Sequence, residues 1–373
     1  MKYKTTGESS FFGDFLYDQV LPHEHFLVRL RREVDWRDLC TGLMSAYKGG
    51  GEYGPRAYAP DLLLRYLLVP YLFDISERET EQLVRVHLLA KYFVGLGVDQ
   101  LPPDHSTLTV FKTRVSKLKA GRGYSTFWDK IFSKVLEEAK QKGIVLGSVQ
   151  VIDSTHTTAN VNLVKEKDKK EKGTPLRDPD AKGGVKRMET RTFKTKQGKK
   201  IKVRVPQTIY GYKTHASLNA SSGLVTSITT TSANESDTKQ FIPLVNKDQK
   251  KKLNTQAYAA DRGYDDGDNH YHCQTKDIVP AIALKITRTK PIWQELKAVP
   301  LYQEALKLRY RIEAKFGEAK TRHGFSRCRY LGLSNYHVQA ILTTLTLNLK
   351  RMMTLTEQTH TREYCIQPIF VRT

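Results

Sequence analysis

The sequence predicts an α/β fold preceded by an all-helical region, and three observations carry that reading. Two short apolar runs end in acids, "VLGSVQVIDST" at Asp153 and "TQAYAADRGYDD" at Asp261. From residue 145 the segments run strand, hairpin, helix, strand, strand, helix, an order that builds a sheet with helices on its faces. Before about residue 120, apolar residues recur at helical rather than strand spacing.

Residues 1–35 open with the aromatic and polar stretch "SSFFGDFLYDQVLPHEHFLVRL", which reads as irregular. A helical region follows, broken by "KGGGEYGP" at 48–55. Helices are expected at 60–73 and 77–93, the second opened by Ser76 with Glu79 at capping-box spacing. "LPPDHSTLTVFKTRV" reads as a Pro/Asp-initiated helix that runs into the basic "KLKAGRGY". Short helices carrying Lys and Arg fit a helix-turn-helix-like DNA reader or an all-helical packing domain equally well. The domain plan is thus helical over 1–120, a connecting helix over 121–144, an α/β domain over 145–352 and a tail over 353–373.

In the α/β domain, "VLGSVQVIDST" predicts a strand ending at Asp153. "YGYKTHASLNASSGLVTSITTTSANESD" predicts two strands joined by the turn "NASSG". Between these lies the basic insertion 165–204, expected as a long, mobile excursion with a hairpin around "FKTKQGKKIKVRV". A strand ending at Asp261, a strand over 277–284, a long helix holding 309–320 and a last apolar helix, "NYHVQAILTTLTLNLKRM", complete the domain.

Composition narrows the function. The 373 residues suffice for two or three domains and a sizeable core. Lys and Arg number 61 against 39 acids, for a net charge of +22. Enzymes of small molecules have no need of that excess, whereas a protein lying along a polyphosphate gains from releasing its counterions. Residues 165–204 alone hold 16 basic and 6 acidic residues. The apolar run 62–73 contains Arg65 and Pro70 and is too short to span a bilayer. No secretory leader opens the chain and the four cysteines are scattered, so the expected setting is a reducing cytoplasm, with no membrane partner. His270, His272 and Cys273 lack the second ligand pair of a zinc site.

Acids at the ends of buried strands lie where open α/β sheets bind ligands, although one such Asp is more often a turn former. Two of them, with Glu313 on a later helix, would give three hard oxygen donors around one cavity. Such a set suits Mg²⁺, which keeps waters and accepts substrate phosphates as remaining ligands. At about 100° per residue, Arg309, Glu313 and Lys320 fall near 0°, 40° and 20° on the helix, one acid between two cations. That arrangement is also what a solvated surface ladder looks like.

Taken together, "VIDSTHTTANV", "TTSANESDTKQF", "AADRGYDD" and "RYRIEAKFGEAKTRHGFSR" resemble, in order and spacing, the motifs of bacterial insertion-sequence transposases with a DDE catalytic domain. The helical stretch from "APDLLLRYLLVPYLF" to "PPDHSTLTVFKTR" is similar to the DNA-binding domain that precedes it in that family, so the likeness covers roughly 20–350. The resemblance implies an RNase H-like domain, a mixed sheet flanked by helices, behind an all-helical DNA-binding domain. It implies Asp153, Asp261 and Glu313 as catalytic and metal-binding residues, with two Mg²⁺ ions, replaceable by Mn²⁺, at one site. In the family's Tyr-x2-Arg-x3-Glu-x6-Lys motif, Arg309 and Lys320 fall on the DNA-contacting positions, while Leu306 stands where the Tyr would be. Lys213 and His215 of "GYKTH" are expected to face DNA, and His156 to orient water or to be an ordinary loop residue. The implied partners are double-stranded DNA, as terminal inverted repeats and as target, and a second copy in a synaptic dimer, in the bacterial cytoplasm and nucleoid. A branched-DNA nuclease without strand transfer, or a non-catalytic DNA-binding relic, are the competing readings; the intact acids weigh against the relic.

Overall fold

The computed structural model describes residues 11–43, 57–121, 124–194 and 200–366, so the expected break at 48–55 lies outside the described residues. The chain divides into two compact units, 1–145 with 342–373, and 146–341.

The first unit is helical: α1 (Phe11–Val20), α2 (Phe26–Glu33), α3 (Trp36–Leu39), α4 (Pro60–Phe73), α5 (Glu77–Val86), α6 (Leu88–Val94), α7 (His105–Ser116) and α8 (Phe127–Gln141). The opening stretch is therefore not irregular. Tyr17, Leu21 and Val28 bury themselves against Leu88, Leu89, Tyr92 and Val98, which turns the aromatic run into packed helices interrupted at Pro22. Ser76 and Glu79 form the expected capping box. The helix expected over 77–93 is broken at His87, whose extended backbone lets its Nδ1 accept from the Ala90 N–H and start α6. Asp104 caps α7 through the Ser106 N–H.

The second unit is built on β1 (Val149–Thr158), α9 (Leu163–Glu171), β2 (Lys182–Lys194), β3 (Lys200–Asn219), β4 (Val225–Ser232), α10 (Phe241–Lys250), β5 (Ala257–Ala260), α11 (Gly267–Gln274), β6 (Val279–Ile282), α12 (Pro291–Ala298), α13 (Pro300–Lys307), α14 (Tyr310–Arg322) and the start of α15 (Leu333–Ile366). The division between units falls inside α15, which continues through most of the expected tail. The sheet is mixed. β1 runs antiparallel to β3 and parallel to β5, β5 is parallel to β6, and β3 is antiparallel to both β4 and β2. A core of Ile152, Phe241, Leu244, Val245, Tyr258, Tyr264 and Ile282 seals the parallel strands beneath α10 and α11. Each such side chain contributes about 1.5–3 kcal/mol through its burial.

Two expectations change. β1 does not stop at Asp153 but runs five residues further, because β3 continues beside it as far as Gly211. The insertion carries a helix and more strand than the hairpin expected around "FKTKQGKKIKVRV", since β2 pairs with the first half of β3 from Lys182 to Lys194. The helix expected to hold 309–320 is α14, with Arg309 at its N-cap, and the separate short helix α13 precedes it.

Candidate active site

Parallel pairing places the two acids. Ile152 of β1 lies opposite Ala260 of β5, so Asp153 and Asp261, the next residue on each strand, emerge side by side where β5 ends. Each is tied by its own backbone: Asp153 Oδ1 accepts from the Ser154 N–H at 2.7 Å, and Asp261 Oδ1 from the Gly263 N–H at 2.9 Å. Helix α14 packs on β1. Its buried face is Ile312, Phe316 and Ala319, which leaves Glu313 61% exposed. Arg309 Nη2 stands 3.9 Å from Glu313 Oε1.

Electrostatics ties the three acids into one site. Burial pushes the Asp153 carboxyl up to about 7, against the Ser154 N–H; Asp261 and Glu313 push it further up and Arg309 pulls it down. Burial likewise raises Asp261, opposed by the Gly263 N–H and Arg309 and reinforced by Asp237. Lys320 is half-buried; desolvation lowers its pKa, Lys186 adds to this, and Asp153 opposes it. Glu313, Arg309 and Lys320 thus all act on Asp153 or its neighbour, as the helical spacing predicts. Glu318 is elsewhere: its carboxylate takes Lys315 Nζ at 3.0 Å.

The remaining candidates divide. Lys213 is buried, donating to Asp237 Oδ1 at 2.9 Å and to the Glu235 carbonyl at 2.8 Å. His215 is fully buried, between Thr231 Oγ1 at 3.1 Å and the Tyr264 hydroxyl at 3.4 Å. The expectation that His215 faces DNA is corrected: its ring has no surface to offer, and burial lowers its pKa to about 4. His156, opposite Lys213 in the strand register, has a buried Nε2 without a hydrogen-bond partner. Asp237 is the residue that sequence reasoning passed over. It sits within "TTSANESDTKQF", pairs with Lys213, and reaches within 3.6 Å of where a Cβ on Gly263 would lie.

The donor set fits a divalent cation. Burial raises Asp153 and Asp261, the charges of Asp261 and Glu313 add to the rise at Asp153, and a hard cation relieves that repulsion. The acids do not all close on one another: among the described residues, the group whose ligand atoms lie within 4.8 Å is Glu81, Asp104 and His105, in the helical unit. That group has a structural explanation, for Glu81 Oε2 accepts from both the backbone N–H and Nδ1 of His105 and so ties α5 to α7.

Two family models match, a transposase domain (DUF772) over residues 15–114 and a transposase DDE domain over 146–349. The chain belongs to the DDE transposases. Its mixed sheet flanked by helices is accordingly the RNase H-like domain of that family, and the helical region preceding it is the transposase's second matched domain. No solved structure matches the transposase. The family assignment makes this a DNA-cleaving or DNA-transferring enzyme of transposition, in a family that works with divalent metal ions. Among the described residues, no helix is long and apolar enough to cross a membrane.

Proposed function

We propose that this transposase binds the ends of its own insertion sequence, hydrolyses the phosphodiester there, and joins the freed 3′-hydroxyl to target DNA, with Asp153, Asp261 and Glu313 as its catalytic acids. The observation that carries the proposal is the parallel register Ile152–Ala260, which sets Asp153 beside Asp261 with Glu313 and Arg309 in electrostatic reach. The three carboxylates would hold Mg²⁺, or Mn²⁺ in its place, most simply as two ions. When bound, the metal supplies an activated water and charge neutralisation at the scissile phosphate.

The chain's own groups do the rest. Arg309 steadies Glu313 and offers its remaining guanidinium hydrogens to a phosphate oxygen. Lys320, whose charge burial disfavours, has that charge favoured by a nearby phosphate, so it is placed to grip the strand. Asp237 and Lys213 brace the Asp261–Gly263 turn from behind, and His215 and Tyr264 pack that brace. Hydrolysis and strand transfer need the same alignment of an oxygen nucleophile with phosphorus, so one set of acids serves both. The helical amino-terminal domain would bind the terminal repeats, and two copies would hold the two ends.

Labelled duplexes carrying the inverted repeats that flank the gene, incubated with a supercoiled plasmid in Mg²⁺, test the proposal. Transfer of label into the plasmid is the expected result. Shortened duplex with no label in the plasmid would identify a nuclease instead, and cleavage that persists in EDTA would remove the metal from the account.

A further inference from the structure

Strand β3 is 20 residues long, and its two halves live in different surroundings. From Gly211 onward it is held by β1 on one side and β4 on the other. Before Gly211 it pairs with β2 alone. Because β3 is antiparallel to β1, this earlier half extends past Thr158, the carboxyl end of β1, five residues beyond Asp153. At about 3.3 Å per residue, residues 200–210 reach roughly 35 Å.

This ribbon has no core of its own. Residues 200–204 are all exposed, as are Val185, Met188 and Phe193 on β2. Cross-strand partners share a face, so Thr190 and Thr192 lie with Arg204 and Lys202 on one side, and Phe193 lies with Ile201 on the other. Residues 182–210 contain ten Lys and Arg against a single acid, Glu189. A bare two-stranded ribbon is marginal in water, so its stability is completed by what it binds. At its root, the register shift between Val185 and Arg187 leaves Lys186 as the extra, bulged residue. Bulges re-aim side chains, and Lys186 acts electrostatically on both Lys320 and His156. Lys186 thus carries the ribbon's positive charge within electrostatic reach of Lys320.

We propose that the ribbon formed by residues 182–194 and 200–210 enters the major groove of the duplex engaged at the active site, with its Lys202–Arg204 face against the DNA. The inference rests on the transposase reading of that site. A two-stranded ribbon fits the major groove, about 12 Å wide, without the widening that a minor groove about 6 Å wide would need. Its charge selects a polyanion over a protein surface, and its origin about 16 Å along β1 from Asp153 selects the DNA flanking the scissile bond. A second copy packing on the Phe193–Ile201 face is the alternative that the test separates.

The full-length protein is compared with Lys200→Gln/Lys202→Gln/Arg204→Gln and with Ile201→Thr/Val203→Thr, using a fluorescent mixed-sequence duplex without metal. The triple Gln variant should melt like wild type and bind with a slope of log K against log salt shallower by about 2 to 3, since each lost phosphate contact removes about 0.9. Methyl green, which fills the major groove, should displace wild type, and netropsin, which fills the minor groove, should not; the Gln variant should lose the methyl green sensitivity. The Thr variant should keep the wild-type slope. An unchanged slope in the Gln variant, or displacement by netropsin alone, would overturn the proposal, as would a Thr variant that loses dimerisation while the Gln variant binds DNA normally. Wild type that binds no duplex at all would instead bring down the transposase reading itself.

Discussion

Burial holds the Asp153 carboxyl up at about 7, with Asp261 and Glu313 pushing the same way. A carboxyl whose pKa is higher folded than unfolded binds more protons in the native state between the two values. Stability of the metal-free protein therefore falls as pH rises from about 4 through 7, and Asp153→Asn removes that fall. The expected gain of the variant is about 4 kcal/mol at pH 8, shrinking towards zero at pH 4. Thermal melts in EDTA at the two pH values check it, and Mg²⁺ should stabilise wild type but not the variant. At this scale the acids were legible in the sequence because two of them follow apolar strands and the third sits between cations at helical spacing. His215 was not legible: "GYKTH" is polar, and polarity read as surface. The sequence holds no sign that Thr231 and Tyr264 close around the ring. Asp237 was hidden by its setting, a Ser- and Asn-rich turn that looks like ordinary loop chemistry.

The ribbon and the core sheet meet where two glycines lie against backbone. A Cβ on Gly211 would stand 2.2 Å from the Thr157 carbonyl oxygen and 2.7 Å from the Ala159 nitrogen; one on Gly184 would stand 2.1 Å from the Ala233 oxygen. Neither neighbour is a flexible side-chain tip, so strands must separate to admit a methyl group. Gly211→Ala should destabilise the protein by about 2–4 kcal/mol, a magnitude reserved for strain and overpacking in cores. Gly183→Ala, with open space around its Cβ, should cost less than about 1 kcal/mol in a urea titration. The hairpin itself was legible from the alternation in "FKTKQGKKIKVRV", but its union with the following strand was not. The junction residues alternate on both sides of Gly211, and nothing in the sequence marks where β1 stops accompanying β3. The short helices α11, α12 and α13 were missed for a related reason. Residues 291–307 start two helices with Pro291 and Pro300, and prolines in a short segment read as loop unless packing is known. The aromatic amino-terminal stretch was likewise misread, because its helices owe their form to burial of Tyr17, Leu21 and Val28 more than to local propensity.

Across the whole molecule, a net charge of +22 and an all-oxygen donor set lead to separate expectations. DNA binding should persist in Ca²⁺ because the cationic surface supplies it, whereas cleavage should require Mg²⁺ or Mn²⁺, since Ca²⁺ takes longer bonds and looser geometry. Gel-shift and cleavage assays on the same duplex in the three ions separate the two functions. The decisive comparison concerns two glutamates of one helix. Glu313 is exposed beside Arg309 and acts on Asp153, whereas Glu318 is occupied by Lys315 about 140° further round the axis. End cleavage in Mg²⁺, measured for purified Glu313→Gln and Glu318→Gln on the duplex carrying the gene's flanking repeats, tests the assignment of the catalytic acids most directly. The account predicts that Glu313→Gln binds the duplex and does not cut it, while Glu318→Gln cuts at close to the wild-type rate. A Glu318→Gln protein that is folded and inactive, or a Glu313→Gln protein that still cleaves, would contradict it.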